Sequence, residues 1–420
     1  MREDAVRGFI FRWAVAAFLW FVIPAANARQ IFSERVKGVR LYGQTEADLP
    51  VVRQASAPMR LEFDVLDQAP PNLRLRFTHC DRDWNPTQTI FVNDDLRLRT
   101  RSDLPYEYAP QGVQGYSFQY RVVIPQEPQF EGFPFSGNYI LEIYDVDRKE
   151  LLAQGRFFVA ESLIHPRMIV TNRQDPRFVS PWNQVNQVSV AFTVPELDSA
   201  AGMASSIADF RTVDLYKNRE ITRRWRIDAD DDDPDTFIEG FGTARLRFRI
   251  DNVQPGNEYR VADLRNIDFY PQDRPVRLRG GADVSRFLAK PAPDNNGAST
   301  VMSGNRYAEY LNLILELVWD GGHDSVFVVG DFNGWDTTRG GPMKKNGNRY
   351  SWEVSVRRGR YDYQYVVGDD WIALEGNDWR TVNNYSAFIY YRDPRFGGFD
   401  RIAGFVSGQS PGGTEVTEQP

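Results

Sequence analysis

Cysteine and histidine are scarce in this sequence, with 1 cysteine and 3 histidines among 420 residues. A single cysteine excludes an internal disulfide, so the fold depends on packing alone. The histidines, His79, His165 and His323, show none of the spacings with which histidine pairs bind metals. Cys80 lies far from the N-terminal signal described next, which excludes a lipid anchor on a cysteine at a cleavage site. The residues most used for nucleophilic and metal chemistry are therefore few.

Long hydrophobic runs are absent beyond the N-terminus, and no later segment is apolar enough to cross a membrane. The N-terminus itself has the pattern of an export signal. Three arginines accompany the apolar core Trp13–Ile23, which is short for a membrane span, and a small-x-small cleavage site ends at Ala28. We predict a signal peptide over residues 1–28 that is cleaved after Ala28, with an uncleaved anchor as the alternative.

Positive charge is also in deficit, because 50 lysines and arginines face 57 aspartates and glutamates, for a formal net charge of −7. An acidic exported chain is a poor partner for nucleic acids or anionic membrane surfaces. The sequence has no glycine-rich phosphate loop, and no pair of carboxylates stands out among the 57 acids as a glycosidase pair would. We therefore predict no enzymatic activity, no cofactor, no nucleic-acid partner and no direct membrane insertion.

Aromatic and turn-forming residues are abundant: aromatics make up 14% of the chain, with 25 prolines and 32 glycines. Short segments of period two, such as Met59–Val65, recur between turns. Leu311–Trp319 is apolar enough to be mistaken for a helix, but its strand neighbours favour a buried strand. We predict an all-β chain of tandem antiparallel β-sandwiches with immunoglobulin-like architecture.

Changes in composition suggest the boundaries between these sandwiches. The character of the sequence shifts after Ala160, a breaker cluster lies at Pro291–Gly297, and the C-terminus is rich in glycine, serine, proline and glutamate. The predicted units are an N-terminal sandwich, a middle sandwich that includes a strand at Tyr259–Leu264, a third sandwich and a disordered tail. Their respective ranges are 29–160, 161–296, 297–405 and 406–420.

The segment from Leu73 to Trp84 places His, Cys and Asp side by side, which invites a catalytic interpretation. Alternation along Leu73–Cys80 predicts a strand, and neighbouring strand side chains point to opposite faces. His79 therefore faces the core and Cys80 the other side, so they cannot form a nucleophile–base pair. The favoured interpretation is a core histidine followed by an Asp-rich turn held by Trp84. The structural signature comprises His79, Cys80, Asp81, Asp83 and Trp84.

An acidic run at 228–235 partly follows the spacing of a calcium-binding loop. Asp228, Asp230, Asp232 and Glu239 occupy the first, third, fifth and twelfth positions of an EF-hand loop. The sixth position, which needs glycine, is Asp233, and no helices flank the run. These four residues are weak metal-ligand candidates, and a solvated hairpin loop is the favoured interpretation.

The third unit contains the motif Gly330–Trp335 after a strand, followed by aromatic strands. Residues 309–391 resemble the early-set immunoglobulin-like sandwich of glycogen-binding modules. In that family two tryptophans stack on glucose rings, while a lysine and an asparagine bind hydroxyl groups. The resemblance implies Trp335, Trp371 and Asn383 as sugar-binding positions, but Gln364 stands at the lysine position. A core role, which is the commoner one for a tryptophan in a small sandwich, is the favoured interpretation, and sugar binding is the alternative.

Several motifs in order, taken together, are similar to the plug protein family of the type IX secretion system. They are His79–Pro86, Ser136–Tyr139, Gly256–Arg260, Asp294–Gly297, Gly330–Trp335 and Thr381–Tyr385. The resemblance spans about Val36 to Arg401. Arg82 and Thr87 stand where other members often carry a small residue and a serine.

This resemblance implies a periplasmic protein without catalytic chemistry, at the inner face of the outer membrane. Its expected partner is the large outer-membrane β-barrel translocon, whose periplasmic opening it seals when no substrate is exported. A pore wide enough for folded cargo would leak, so a removable stopper is physically required. The alternative is a periplasmic or secreted α-glucan-binding protein that acts through its third unit.

Overall fold

The computed structural model describes residues 29–54, 57–100, 104–126, 130, 132–175, 177, 184–195, 207–286, 293–322 and 325–411. The predicted signal peptide, His323 and residues 412–420 lie outside these ranges. Within them the chain is almost entirely β-structure, as predicted. Its helical part is limited to helix α1 (Ile90–Asn93) and single 3-10 turns at Leu96–Leu98, Ile207–Asp209, Asp331–Asn333 and Arg395–Gly397. No helix in the described part of the chain has the length and apolar character needed to cross a membrane.

The strands are numbered in chain order. The first group is β1 (Arg29–Ile31), β2 (Val36–Tyr42), β3 (Val51–Arg53), β4 (Met59–Val65), β5 (Leu73–Cys80), β6 (Tyr106–Tyr108), β7 (Phe118–Ile124), β8 (Gly137–Asp145) and β9 (Glu150–Ala160). The second is β10 (Arg167–Gln174), β11 (Gln184–Thr193), β12 (Thr212–Lys217), β13 (Arg224–Asp228), β14 (Thr236–Glu239) and β15 (Arg245–Val253). The third is β16 (Arg260–Asp263), β17 (Val276–Arg277), β18 (Ser299–Val301), β19 (Tyr310–Val318), β20 (Val326–Gly330), β21 (Lys344–Asn346), β22 (Arg349–Arg357) and β23 (Gly359–Val367). The last pair is β24 (Asn384–Asp393) and β25 (Phe399–Gln409).

In the described part of the chain, six sheets pair into three sandwiches. In sandwich 1 the sheet β1-β9-β8-β5, with β3 parallel to β9, faces β2-β4-β7-β6. In sandwich 2 the sheet β10-β11-β15-β14 faces β13-β12-β24-β25. In sandwich 3 the sheet β16-β23-β18, with β20 also on β23, faces β17-β19-β22-β21. Among the strands named above, neighbours run antiparallel except in the β3–β9 and β17–β19 pairs. The predicted tandem sandwiches are confirmed.

The observed connectivity differs from the predicted boundaries. β24 pairs with β12 from Thr212↔Tyr390 to Lys217↔Tyr385, so the last two strands complete sandwich 2. β16, which we expected in the middle unit, pairs with β23 of sandwich 3. Residues 406–409, predicted to be disordered, belong to β25. In the chain, sandwich 3 is therefore inserted between the earlier and the last two strands of sandwich 2. The pairing of β12 with β24 that produces this insertion cannot be predicted from local strand patterns.

Each sandwich has its own apolar core, built from the inward positions of alternating strands. β4 shows the pattern, because Met59, Leu61, Phe63 and Val65 are buried while Arg60 is exposed. In β19 the buried positions are Leu311, Leu313, Leu315 and Leu317, which confirms a strand where a helix was the competing interpretation. Burial of one face in two is what a sheet inside a sandwich requires.

A separate apolar cluster joins sandwich 1 to sandwich 2. Phe158 of β9 stacks on Phe388 of β24, with ring centroids 3.9 Å apart and planes inclined by 21°. Tyr216 and Trp84 pack edge-on against Phe158 at 5.4 and 5.1 Å. These rings are all buried, so separating the two sandwiches would expose a contiguous aromatic surface to water.

Replacing Phe388 with alanine is expected to destabilise the whole chain, because it opens a cavity between two sandwiches. We expect a loss of about 3–5 kcal/mol in the free energy of unfolding, measured by urea denaturation. Phe237→Ala is the control, since that ring is 39% exposed, and it should cost less than about 1 kcal/mol. An unchanged midpoint for Phe388→Ala would contradict this account of the interface.

Candidate functional site

His79 lies in the core at the end of β5, where it contacts both sandwich 1 and sandwich 2. Its Nε2–H donates to the carbonyl of Ser136 at 3.0 Å, and Nδ1 lies 2.7 Å from the hydroxyl of Thr87. The ring packs edge-on against Phe399 of sandwich 2 at 5.5 Å. Burial lowers the pKa of His79 to about 4. The imidazole is therefore neutral at physiological pH, and both of its nitrogens are occupied by structural contacts.

Cys80 is fully buried beside Ile140, away from the face that His79 occupies. Burial raises the pKa of the Cys80 thiol to about 12, so the nucleophilic thiolate is not formed near neutral pH. The two side chains do not meet, and no nucleophile–base pair forms at this point. The geometry suits a packing role for both residues.

The acidic turn after β5 holds sandwich 1 against sandwich 2. The Asp81 carboxylate accepts the backbone N–H groups of Asp83 and Asn85, each at 2.9 Å, which closes the turn. Trp84 adopts a left-handed conformation with φ of 67° and is buried in the interface. Asp83 accepts hydrogen bonds from Arg224 at 2.6 Å and Arg226 at 2.7 Å, both on β13. The signature residues therefore lie at an interface between sandwiches.

The Ser136–Tyr139 motif contributes to the same interface. The Tyr390 hydroxyl donates to Asn138 at 2.7 Å, and the Ser136 hydroxyl accepts the backbone N–H of Ile402 at 3.1 Å. Gly137 has a φ of +145°, and a Cβ there would lie 2.3 Å from Nε2 of His79. Only glycine satisfies both the backbone conformation and the close approach of the imidazole.

Asp331, in the Gly330–Trp335 motif, connects all three sandwiches. Its carboxylate lies 3.3 Å from Arg219 of sandwich 2 and 3.8 Å from Nε of Arg40 of sandwich 1. Its backbone carbonyl accepts a hydrogen bond from Arg29, also of sandwich 1, and Ser299 donates to the carboxylate. Burial raises the pKa of the Asp331 carboxyl, but the charges of Arg219, Arg29 and Arg40 outweigh burial and leave it below the ordinary value.

A second buried ion pair joins sandwich 1 to sandwich 3. Asp64 of β4 accepts hydrogen bonds from Arg357 of β22 at 3.1 Å and from the Tyr310 hydroxyl at 2.8 Å. Arg357 also donates to the Tyr116 hydroxyl at 2.8 Å. Burial outweighs the attraction of Arg357 and raises the pKa of Asp64 to about 6. The sandwiches are therefore joined by the aromatic cluster, the Asp331 cluster and this pair, in addition to the contacts of the acidic turn and of the Ser136–Tyr139 motif.

The residues proposed for sugar binding lie mostly inside the molecule. Trp335 is 1% exposed, donates its indole N–H to the carbonyl of Gly297 at 3.0 Å and packs on Tyr259 at 4.4 Å. Asn383 is buried and donates to the carbonyl of Pro255 at 3.0 Å. Gln364 is also buried. A sugar cannot stack on a tryptophan whose faces are covered.

Trp371 alone among these residues keeps part of its surface in solvent. The guanidinium of Arg223, from sandwich 2, lies 5.1 Å from its ring centroid. The four residues therefore do not form an open aromatic platform. Trp335 and Trp371 instead pack against sandwich 2 through Thr222 and Arg223, while Gln364 donates to the carbonyl of Trp371 at 3.5 Å within sandwich 3.

The carboxylates of the acidic run point to separate partners and do not converge on one point. Asp228 accepts from Thr212 at 2.6 Å and lies 3.4 Å from Arg82 of sandwich 1, while Glu239 faces Arg247 at 3.3 Å. Asp230 pairs with Arg211, and Asp232 lies in the exposed turn. Among the described residues, no group of three or more His, Cys, Asp or Glu side chains is arranged to hold a metal ion.

Sequence reasoning missed the arginines of the junction, Arg29, Arg40, Arg219 and Arg357. The signal for them in the sequence is an arginine within or next to a predicted strand, at a position that the folded chain buries. Such residues are rarely buried unless paired, but the sequence does not reveal their partners in other sandwiches, which lie 112 to 302 positions away.

Comparison with known proteins confirms both resemblances. Residues 36–161 match the family described as type 9 secretion system plug protein 1st domain. Residues 314–388 match the family described as the glycogen recognition site of AMP-activated protein kinase. Neither description names a catalytic activity. A search of curated proteins found no match.

The fold is shared with a crystal structure of a hypothetical protein from Parabacteroides merdae ATCC 43184. The two chains are 17% identical, with a TM-score of 0.73, and the alignment covers 91% of this chain and 98% of the other. The whole arrangement of sandwiches, and not only one of them, is therefore common to both proteins.

Removing the charge of Asp331 should destabilise the assembled chain, because Asp331→Asn leaves three arginines near a neutral amide. We expect a loss of about 3–5 kcal/mol in the free energy of unfolding, typical of a broken buried ion pair. Asp369→Asn is the matched control, since Asp369 is exposed in a turn of the same sandwich. Equal stability of the two variants would show that Asp331 does not hold the junction.

Asp64 predicts a specific pH dependence. Its folded-state pKa of about 6 exceeds the ordinary 3.8, so the native state binds this proton more tightly than the unfolded state does. The contribution of this group to stability is present below the ordinary pKa and is lost as pH rises through about 6. We expect the stability of the native chain relative to Asp64→Asn to fall between about pH 4 and pH 6, measured by urea unfolding at each pH. Parallel pH profiles would contradict this assignment.

Proposed function

We propose that this chain is the periplasmic plug of a type IX secretion system, which binds and seals the periplasmic opening of the outer-membrane β-barrel translocon when no substrate is exported. The observation that carries the proposal is the match of residues 36–161 to the plug protein 1st domain. That segment contains the signature turn at His79–Trp84 and the Ser136–Tyr139 motif, both of which hold sandwich 2 in place.

The buried contacts between the sandwiches support this role. A stopper must keep its shape against a wide pore, and the three sandwiches are joined by one apolar cluster and two buried ionic contacts. A buried interface of this kind resists relative motion more than the polar contacts usual between tethered domains. We infer that the protein acts as one rigid body, without chemistry, in the periplasm after cleavage at Ala28.

The glucan-binding alternative has one observation in its favour, the match of residues 314–388 to a glycogen recognition site. The geometry weakens it, since Trp335 and Asn383 are covered by sandwich 2 and by Gly297. Resemblance of a sandwich can persist after its binding face is used for packing, because fold does not determine function.

Affinity purification tests the proposal directly. The chain would be tagged at its C-terminus in the host cell and recovered from envelopes solubilised in mild detergent. We expect a very large outer-membrane barrel protein to co-purify in near-equal amount, as judged by mass spectrometry. Deletion of the gene should make the cells sensitive to antibiotics too large for ordinary porins, because the translocon would be left open.

The control is the Asp331→Asn chain, which should co-purify less barrel in proportion to its loss of folded structure by circular dichroism. Recovery of the native chain alone, together with its retardation in glycogen-containing gels, would overturn the proposal in favour of the glucan-binding alternative. In that case Trp371→Ala, whose ring is partly exposed, should abolish the retardation without unfolding the chain.

A further inference from the structure

The outer face of the sheet β10-β11-β15-β14 carries a row of arginines on an otherwise acidic chain. The register aligns Arg167 of β10, Ala191 of β11 and Arg247 of β15 across the sheet. Strands lie about 4.8 Å apart, so two arginines about 10 Å apart flank a floor made by the small side chain of Ala191. Arg245 lies two residues from Arg247 on the same exposed face of β15.

An open groove of about 820 Å³ lies over this floor. We call it the β15 groove; it is lined by Arg167, Ala191, Thr193, Glu239, Arg245 and Arg247, among others. Its volume is in the range of ligand-binding clefts, about 300–1,000 Å³. The pleat of β11 contributes only short side chains to the floor, which leaves room for an extended backbone to lie along it.

The charge of the groove is not explained by the fold. Among the described residues, the side chains of Arg167 and Arg245 have no carboxylate partner. Arg247 has only Glu239, at 3.3 Å, in a pair whose side chains are 55% and 50% exposed. Such an exposed pair contributes little to stability. Three arginines therefore face one glutamate on a chain whose net charge is −7.

Apolar side chains continue this surface along the same face. Ile169 of β10 is 64% exposed, and Phe237 of β14 is 39% exposed, with the guanidinium of Arg249 lying 4.1 Å from its ring centroid. Arginine and aromatic residues together are enriched where proteins bind one another. The guanidinium fork matches a carboxylate through two parallel hydrogen bonds.

We propose that the β15 groove binds an extended acidic polypeptide segment of a partner protein. Its carboxylates would pair with Arg167, Arg245 and Arg247, and its apolar side chains would rest on Ile169 and Phe237. Charge complementarity identifies the occupant as acidic, and the concave shape favours a single extended segment over a flat bilayer. The site belongs to sandwich 2 and does not depend on the proposed sealing of a translocon.

The test uses the purified mature chain and a fluorescently labelled peptide of about twelve alternating glutamate and valine residues, titrated by anisotropy at low salt. We expect saturable binding that weakens as salt rises, and a dissociation constant at least about tenfold higher for Arg245→Glu/Arg247→Glu. The matched control is Arg265→Glu/Arg380→Glu, which makes the same change of charge at arginine side chains that are also 55% exposed. This control should bind like the native chain.

Three results would overturn the proposal. They are equal affinity for the native chain and the groove variant, an equal loss in the control variant, and equal binding of a peptide with glutamine in place of glutamate. Binding of the native chain to phosphatidylglycerol vesicles that the groove variant loses, without peptide binding, would replace the peptide with a lipid surface. Circular dichroism of each variant separates loss of binding from loss of fold, which exposed arginines are not expected to cause.

Discussion

One buried carboxylate, that of Asp331, connects all three sandwiches. A charge removed from water is expensive unless opposite charges and hydrogen bonds replace the solvent. Here the replacements come from elsewhere in the chain: Arg29 and Arg40 from sandwich 1 and Arg219 from sandwich 2. The full set of arginines surrounds Asp331 only when both other sandwiches are docked on sandwich 3.

The sequence motifs share one structural role, which is contact between sandwiches. Asp83, Asn138, Tyr259 and Asp331, each from a different motif, all contact a neighbouring sandwich. None of them lies in an open catalytic cleft. A chain that retains polar residues for docking its own parts is suited to a mechanical task. This agrees with the plug function proposed from the match of residues 36–161.

Local pattern predicted most of the strands and little of their assembly. The strands at Met59–Val65 and Leu311 were predictable because consecutive residues alternate between apolar and polar, as the buried and exposed positions of a strand do. The pairing of β12 with β24 was not, since it joins positions more than 160 residues apart whose register has no local signal. For the same reason the sequence leaves two interpretations of Trp335, a favoured core role and the sugar-binding position that the resemblance implies. The sequence shows that Trp335 is an aromatic residue after a turn. That the faces of its ring are covered becomes visible only when the folded sandwiches are seen together.

The inserted position of sandwich 3 bears on the order in which the protein can mature. A chain that emerges N-terminus first presents β10–β15 early, but β12 lacks its neighbour until β24 arrives near the end of synthesis. Until then Phe158 and Tyr216 have no ring of Phe388 against which to pack. Prematurely terminated chains would keep this aromatic surface exposed, a state that proteases and chaperones recognise. The final strands thus complete a sheet and an aromatic interface whose other halves are synthesised much earlier.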